Sequence, residues 1–176
     1  AAAVTTENVI VNDSIIAETR LNQFGVLANT AIGNEEFFEV ETDLLKLKFT
    51  NKGGRIYSAE LKKYRTHDSL PLILFEGEEA DLGFNLAIAT KSGGSTVVNT
   101  SDLYFKPVEV ATGNEDLNQT VVMRLEVNPE SYIDFVYTIA PDDYMLNFSV
   151  NPKNMNSYLP FGINFLDMHW SSKVRQ

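Results

Sequence analysis

The sequence predicts an all-β sandwich, mostly antiparallel, with one short N-terminal amphipathic helix ahead of it. Apolar residues return at every second position in several separate stretches, which is the spacing of strands with one buried face. Turn chemistry built on Gly, Asn, Asp and Pro punctuates those stretches, so that about nine strands stand against a single helical pattern. Aromatic residues make up 11% of the chain, mostly Phe and Tyr, and they favour β structure. At 176 residues, with 44% hydrophobic and 22% charged, the chain suits one domain that buries roughly 70% of its unfolded surface.

The elements follow in order. Residues 1–36 are expected to form an N-terminal linker and residues 37–176 the sandwich. Ala1 to Thr6 reads as a frayed end. Val9-Ile10-Val11 suggests a short strand, and Asp13 or Ser14 would then cap a helix whose Ile16, Leu21, Phe24 and Leu27 share one face. Ala28 to Glu36 feeds the first hairpin, expected over Val40 to Tyr64. Leu45, Leu47 and Phe49 alternate with Lys46 and Lys48. Asn51-Lys52-Gly53-Gly54 turns the chain, because glycine enters positive φ at no steric cost. Tyr57, Ala59 and Leu61 are then expected on one side, with Ser58, Glu60 and Lys62 on the other.

Arg65 to Ser69 is a polar loop containing His67, Pro71 to Phe75 a short apolar strand, and Glu76 to Glu79 an acidic loop. Phe84 to Ile88 is a further strand, ended by the Lys91 to Ser95 tip. Leu103 to Val110 is extended, with Pro107 confining it to an edge or a bulge. Val121, Met123, Leu125 and Val127 alternate with Val122, Arg124 and Glu126, Asn128 to Ser131 turns, and Ile133, Phe135, Tyr137 and Ile139 answer them, giving a long hairpin. Leu146, Phe148 and Val150 extend the meander. Asn151 to Pro160 is a loop, and the last strand is expected from Gly162 to Trp170.

The formal charge of −10, from 24 acidic and 14 basic residues, argues against nucleic acid or an anionic lipid surface as partner. Lys62, Lys63 and Arg65 form the one local basic cluster and read as a solvated strand end or loop. The absence of cysteine excludes disulfides, thiolate catalysis and cysteine zinc sites. No apolar run reaches the roughly 20 residues of a membrane helix, and no signal-peptide pattern opens the chain.

A polar residue followed by Asp43-Leu44-Leu45, a lysine-interleaved strand, Gly53-Gly54, Ile56, Leu61 and Tyr64 resembles the opening hairpin of the extracytoplasmic domain of YidC-type membrane protein insertases. The run Asn-Lys-Gly-Gly-Arg-Ile-Tyr-Ser is similar to the Bacteroides-like branch. The resemblance covers most of the chain from about Phe37 onward. It implies a β-supersandwich, the architecture of galactose mutarotases, in the periplasm at the inner membrane. It also implies that the chain ends inside the family's domain, so that further strands and the membrane helices lie outside it. The implied function is non-catalytic help in inserting and folding membrane proteins, alone or with the Sec translocon. The implied partners are Sec components and nascent membrane proteins, and no partner-binding residue is named.

No catalytic, cofactor or metal site is expected. His67 and His169 are the only histidines. The alternative reading, a carbohydrate-binding or mutarotase-like domain, would need an acid and a base in the sandwich cleft. His169 with Asp167 or Glu126 is the available set, Asp167 and His169 sharing a strand face. The acidic clusters at Glu76 to Asp81 and Asp142-Asp143 lack the spacing of a calcium loop. Gly93-Gly94-Ser95-Thr96 lacks the lysine and helix of a phosphate loop. Trp170 is expected as a core or sheet-edge anchor. The row Tyr57, Leu61 and Tyr64 is expected in the core, or else along a groove for an extended peptide.

Overall fold

Among the described residues, eleven strands are arranged in three antiparallel sheets behind an N-terminal helix. The computed structural model describes residues 5–90, 93–110, 117–160 and 166–173, with side chains from residue 13 onward.

The helix α1 (Thr5–Phe24) begins well before Asp13. It absorbs Val9-Ile10-Val11, expected as a strand. Three β-branched residues in a row fit either element, and the surrounding helical run decides the matter. Asp13 and Ser14 are therefore interior to the helix and cap nothing. Ile16 and Leu21 on the expected apolar face are exposed. A 3-10 segment, Gly25–Ala31, follows. Its Leu27 is fully buried in the core, and the Thr30 carbonyl accepts a hydrogen bond from the Tyr104 amide (2.7 Å).

The first sheet has the order β1-β2-β3-β4, formed by β1 (Phe37–Glu41), β2 (Leu45–Thr50), β3 (Arg55–Arg65) and β4 (Pro71–Glu76). The sequence reading missed β1 as a separate strand. Thr42 makes the turn after it, its Oγ1 accepting from the Leu44 (3.2 Å) and Leu45 (3.0 Å) amides. Leu45, Leu47 and Phe49 are buried as the alternation requires. Gly53 and Gly54 take φ of 76° and 62°, the left-handed region that the double glycine was expected to serve.

The expected side for Tyr57 is overturned. Lys48 pairs with Ser58 but Phe49 pairs with Ile56, so Tyr57 is the extra residue of a β-bulge. The bulge turns Tyr57 to the outer face. There it meets Phe37 edge-on (4.8 Å between ring centroids) and lies under the Lys48 ammonium. Ile56 takes the inward position.

The second sheet, in the order β10-β9-β8-β7, contains β7 (Lys106–Val110), β8 (Gln119–Asn128), β9 (Ser131–Ile139) and β10 (Leu146–Lys153). β7 is an edge strand with a register break between Pro107 and Glu109, where the proline was expected to put one. The β8–β9 hairpin turns on Asn128, whose Oδ1 accepts from the Glu130 and Ser131 amides. Every second residue of β9 from Ser131 is buried.

The third sheet has the order β11-β5-β6, from β5 (Ala80–Ala89), β6 (Ser95–Asn99) and β11 (Asp167–Ser172). β6 was not expected. Of the expected strand from Gly162 to Trp170, residues 162–165 lie outside the described residues, as do Lys91 and Ser92 of the tip. The acidic loop before β5 is a 3-10 turn, Gly77–Glu79, held by a reciprocal capping box between Glu76 and Glu79.

The first and third sheets both pack on the inner face of the second. Phe49 meets Tyr137 (5.2 Å) from the first, and Phe84 meets Phe135 (5.2 Å) from the third. Phe135 also touches Phe105 (4.7 Å) and Phe148 (5.5 Å). A buried aromatic side chain contributes about 1.5–3 kcal/mol, and each favourable ring pair adds about 0.5–1.5 kcal/mol. Two polar ties cross the layers. The Tyr137 hydroxyl donates to the Gly54 carbonyl (2.8 Å), and the buried Gln119 amide donates to the Glu41 carbonyl (2.7 Å). Arg55 joins the first sheet to the third by donating to the carbonyls of Ala80 (2.8 Å) and Gly77 (3.2 Å).

Candidate functional site

An apolar cleft of about 320 Å³ opens between the first sheet and the start of β10. Leu45 and Leu47 form its floor, with Ile56, Ala59 and Leu61 of β3 beside them, and Leu74 and Phe75 of β4 make one wall. Leu146 stands opposite. Two local devices shape it. The bulge at Tyr57 brings Ile56 inward, and a second break in the β3–β4 register, between Ala59 and Glu60, leaves Leu74 unpaired beside Phe75.

Tyr64 and Tyr144 close the rim, their ring centroids 5.8 Å apart and their planes tilted. Partial desolvation, and then the neighbouring Tyr64 phenol, hold the Tyr144 phenol above its ordinary value. Both rings are partly exposed, at 52% and 38%. Such a cleft can receive apolar groups, and its lining carries no ionisable side chain apart from the two phenols.

Of the row Tyr57, Leu61 and Tyr64, the structure brings Leu61 and Tyr64 into the cleft and sends Tyr57 to the opposite face. The sequence reading missed Leu74, Tyr144 and Leu146 as cleft residues. The signal available for the wall was β4 itself, apolar from Leu72 to Phe75 with no alternation, as in a strand covered on both faces.

The residues singled out for chemistry are dispersed. His169 lies exposed on β11 with Nε2 3.6 Å from an Asp81 oxygen, and Asp167 is exposed on the same strand. Glu126 belongs to β8 and accepts from Lys106 Nζ (2.7 Å). His67 sits in its loop 3.1 Å from Asp68. Among the described residues, no three His, Asp or Glu side chains converge as a metal site would require. Trp170 is 70% exposed on the edge strand β11, a sheet-edge position and not a core one.

Several charges elsewhere on the surface are paired. Arg124 makes a bidentate contact with Asp134 (2.8 Å to each oxygen), which raises the guanidinium pKa further, and it stacks 3.5 Å over the Tyr132 ring. Lys62, part of the basic cluster, is bound to Glu41 (2.7 Å) and to the Thr42 carbonyl (2.6 Å). The bond from Lys62 to the Glu41 carboxylate holds that carboxyl below its ordinary value. Lys63 and Arg65 are exposed, as a solvated strand end requires.

Fold and cleft together define an antiparallel β-sandwich domain preceded by a helical arm. Residues 38–173 match the family model of the YidC periplasmic domain, and the chain belongs to that family. The chain is 40% identical over 164 residues to a membrane protein insertase YidC of Parabacteroides distasonis, covering 93% of this chain and 24% of the relative. It is 34% identical over 171 residues to that of Bacteroides fragilis, covering 97% and 26%. A relative from Porphyromonas gingivalis is 38% identical over 164 residues, covering 93% and 25%. The branch expected from the first hairpin is thus the one found. The chain spans about a quarter of the length of these curated relatives. Membership places the domain in the periplasm. No helix among the described residues is long and apolar enough to cross a membrane.

Proposed function

We propose that this chain is the N-terminal part of the periplasmic domain of an inner-membrane insertase, and that it aids insertion and folding of membrane proteins without chemistry of its own. Residues 1–36 serve as its tether and residues 37–176 as the sandwich, which makes partner contacts or acts as a scaffold. The partners in this reading are nascent membrane proteins and components of the Sec translocon, and the membrane is reached through helices outside this chain. The observation that carries the reading is the family match over residues 38–173. The separate neighbours of His169, Glu126 and His67 support the non-catalytic part.

The test is site-specific photocrosslinking in the full-length protein, with the crosslinker at Tyr144 on the cleft rim or at Lys46 on the outer face of the first sheet. Adducts with Sec subunits or with a newly made inner-membrane protein support partner contact. Absence of adducts from both faces, with insertion of a reporter membrane protein unchanged when the domain is deleted, would overturn it. Titration with common hexoses separates the carbohydrate-binding alternative, which requires saturable heat or chemical-shift changes.

A further inference from the structure

The cleft is bounded on its open side by one side-chain contact, the pair Tyr64 and Tyr144. Tyr64 lies on the end of β3 beyond its regular pairing with β4, where the register breaks between Leu61 and Arg65. Tyr144 lies in the connection between β9 and β10, anchored by the Met145 amide donating to Asp143 Oδ1 (2.9 Å). Each ring therefore belongs to a different sheet and to a segment outside regular pairing. The two sheets are bound firmly elsewhere, through Phe49 on Tyr137 and through the Tyr137 hydroxyl on Gly54. Those contacts are buried, whereas the tyrosine pair is half in water. A half-exposed ring contact is the weakest of these links, because water covers the outer faces of both rings.

We propose that Tyr64 and Tyr144 form a clasp that sets access to the apolar cleft, the mouth widening when the two rings part while the core behind stays packed. The cleft floor at Leu45 and Leu47 belongs to that core. Opening therefore exposes preformed apolar surface and does not require unfolding.

The test uses the whole chain and the apolar dye anilinonaphthalene sulfonate. Tyr64→Ala and Tyr144→Ala are each expected to raise dye fluorescence several-fold, and the double variant to match either single, because breaking one side already opens the clasp. Hydrogen exchange is expected to quicken at Tyr64 and Tyr144 and their neighbours, with β8 and β9 unchanged. If both single variants bind dye as the parent does, or if the two effects simply sum, the clasp is overturned. Should an alanine variant fail to fold, Tyr64→Leu and Tyr144→Leu remove the ring contact while keeping apolar bulk at the rim. A measurable rise in dye binding from both then supports the clasp, and no change from either overturns it.

Discussion

Replacing Tyr137 by Phe removes one oxygen from the centre of the protein and probes the tie between its layers. The ring packs against Phe49 and Phe148 and stays in place in the variant. What goes is the bond from the hydroxyl to the Gly54 carbonyl, at a residue only 1% exposed. A buried acceptor left without its donor costs about 1–3 kcal/mol. For a chain of this size each kcal/mol moves the melting temperature by about 2–4 °C, so a fall of roughly 2 to 12 °C is expected. Urea unfolding followed by circular dichroism should show a lower midpoint at an unchanged slope, because the surface exposed on unfolding is the same.

The same residue fixes the sign of a pH effect. Burial raises the Tyr137 phenol pKa well above the ordinary value, only partly opposed by the Arg55 charge. Its contribution is complete below the unfolded pKa of about 10 and is lost above it, by up to about 1.4 kcal/mol per pH unit. Tyr137→Phe has no such loss. The stability gap between parent and variant should therefore be constant from neutral pH to about pH 10 and should close over the next one to two units. A variant as stable as the parent at neutral pH, or a gap that stays constant up to pH 12, would refute the reasoning.

Gly54→Ala should cost at least about 1–2 kcal/mol from its positive φ alone. The new Cβ would also lie 2.8 Å from the Phe105 ring, so thermal melts should place this variant below Tyr137→Phe. Phe135→Ala empties the meeting point of three other rings and should cost about 3–5 kcal/mol, enough to leave much of the protein unfolded at 37 °C in a circular dichroism melt. Glu41 has a lowered pKa, so its stabilisation is present above the ordinary carboxylate value and disappears as pH falls through the folded one. The pair is partly exposed, and Glu41→Gln should flatten the acid limb of the unfolding free energy from urea titrations by no more than about 0.5 kcal/mol. Trp170, the single tryptophan, should emit as a solvated indole in the native state, and its emission maximum should hardly move on unfolding. A native spectrum shifted strongly to the blue would place that side chain in a covered position.

Where a strand and its partner are close in sequence, the alternation of side chains was enough to find them. The β2–β3 and β8–β9 hairpins follow directly from Leu45-Leu47-Phe49 and Ile133-Phe135-Tyr137, because each buried row dictates the register of its neighbour. The bulge at Tyr57 was not legible, since an extra residue leaves the apolar pattern looking regular while reversing the side on which one ring falls. β6 was hidden because Ser95 and Thr96 continue the polar tip and only Val97 and Val98 mark the strand. The pairing of β11 with β5 joins residues more than eighty positions apart, and nothing local in either segment announces it. The cleft suffered the same fate. Leu61 and Tyr64 were visible as a row, but Tyr144 and Leu146 reach them only through the packing of one sheet on another.

The 3-10 segment between the helical arm and β1 has a mechanical consequence. A pull on α1 arrives at Leu27, seated in the core, and at the Thr30 carbonyl bound to Tyr104 before it reaches β1. Tension is shared there with β8, which this segment also touches. An edge strand loaded directly from its end would unzip one hydrogen bond at a time. Here the load enters through a buried peg, and the sandwich can be tugged by its arm without being peeled.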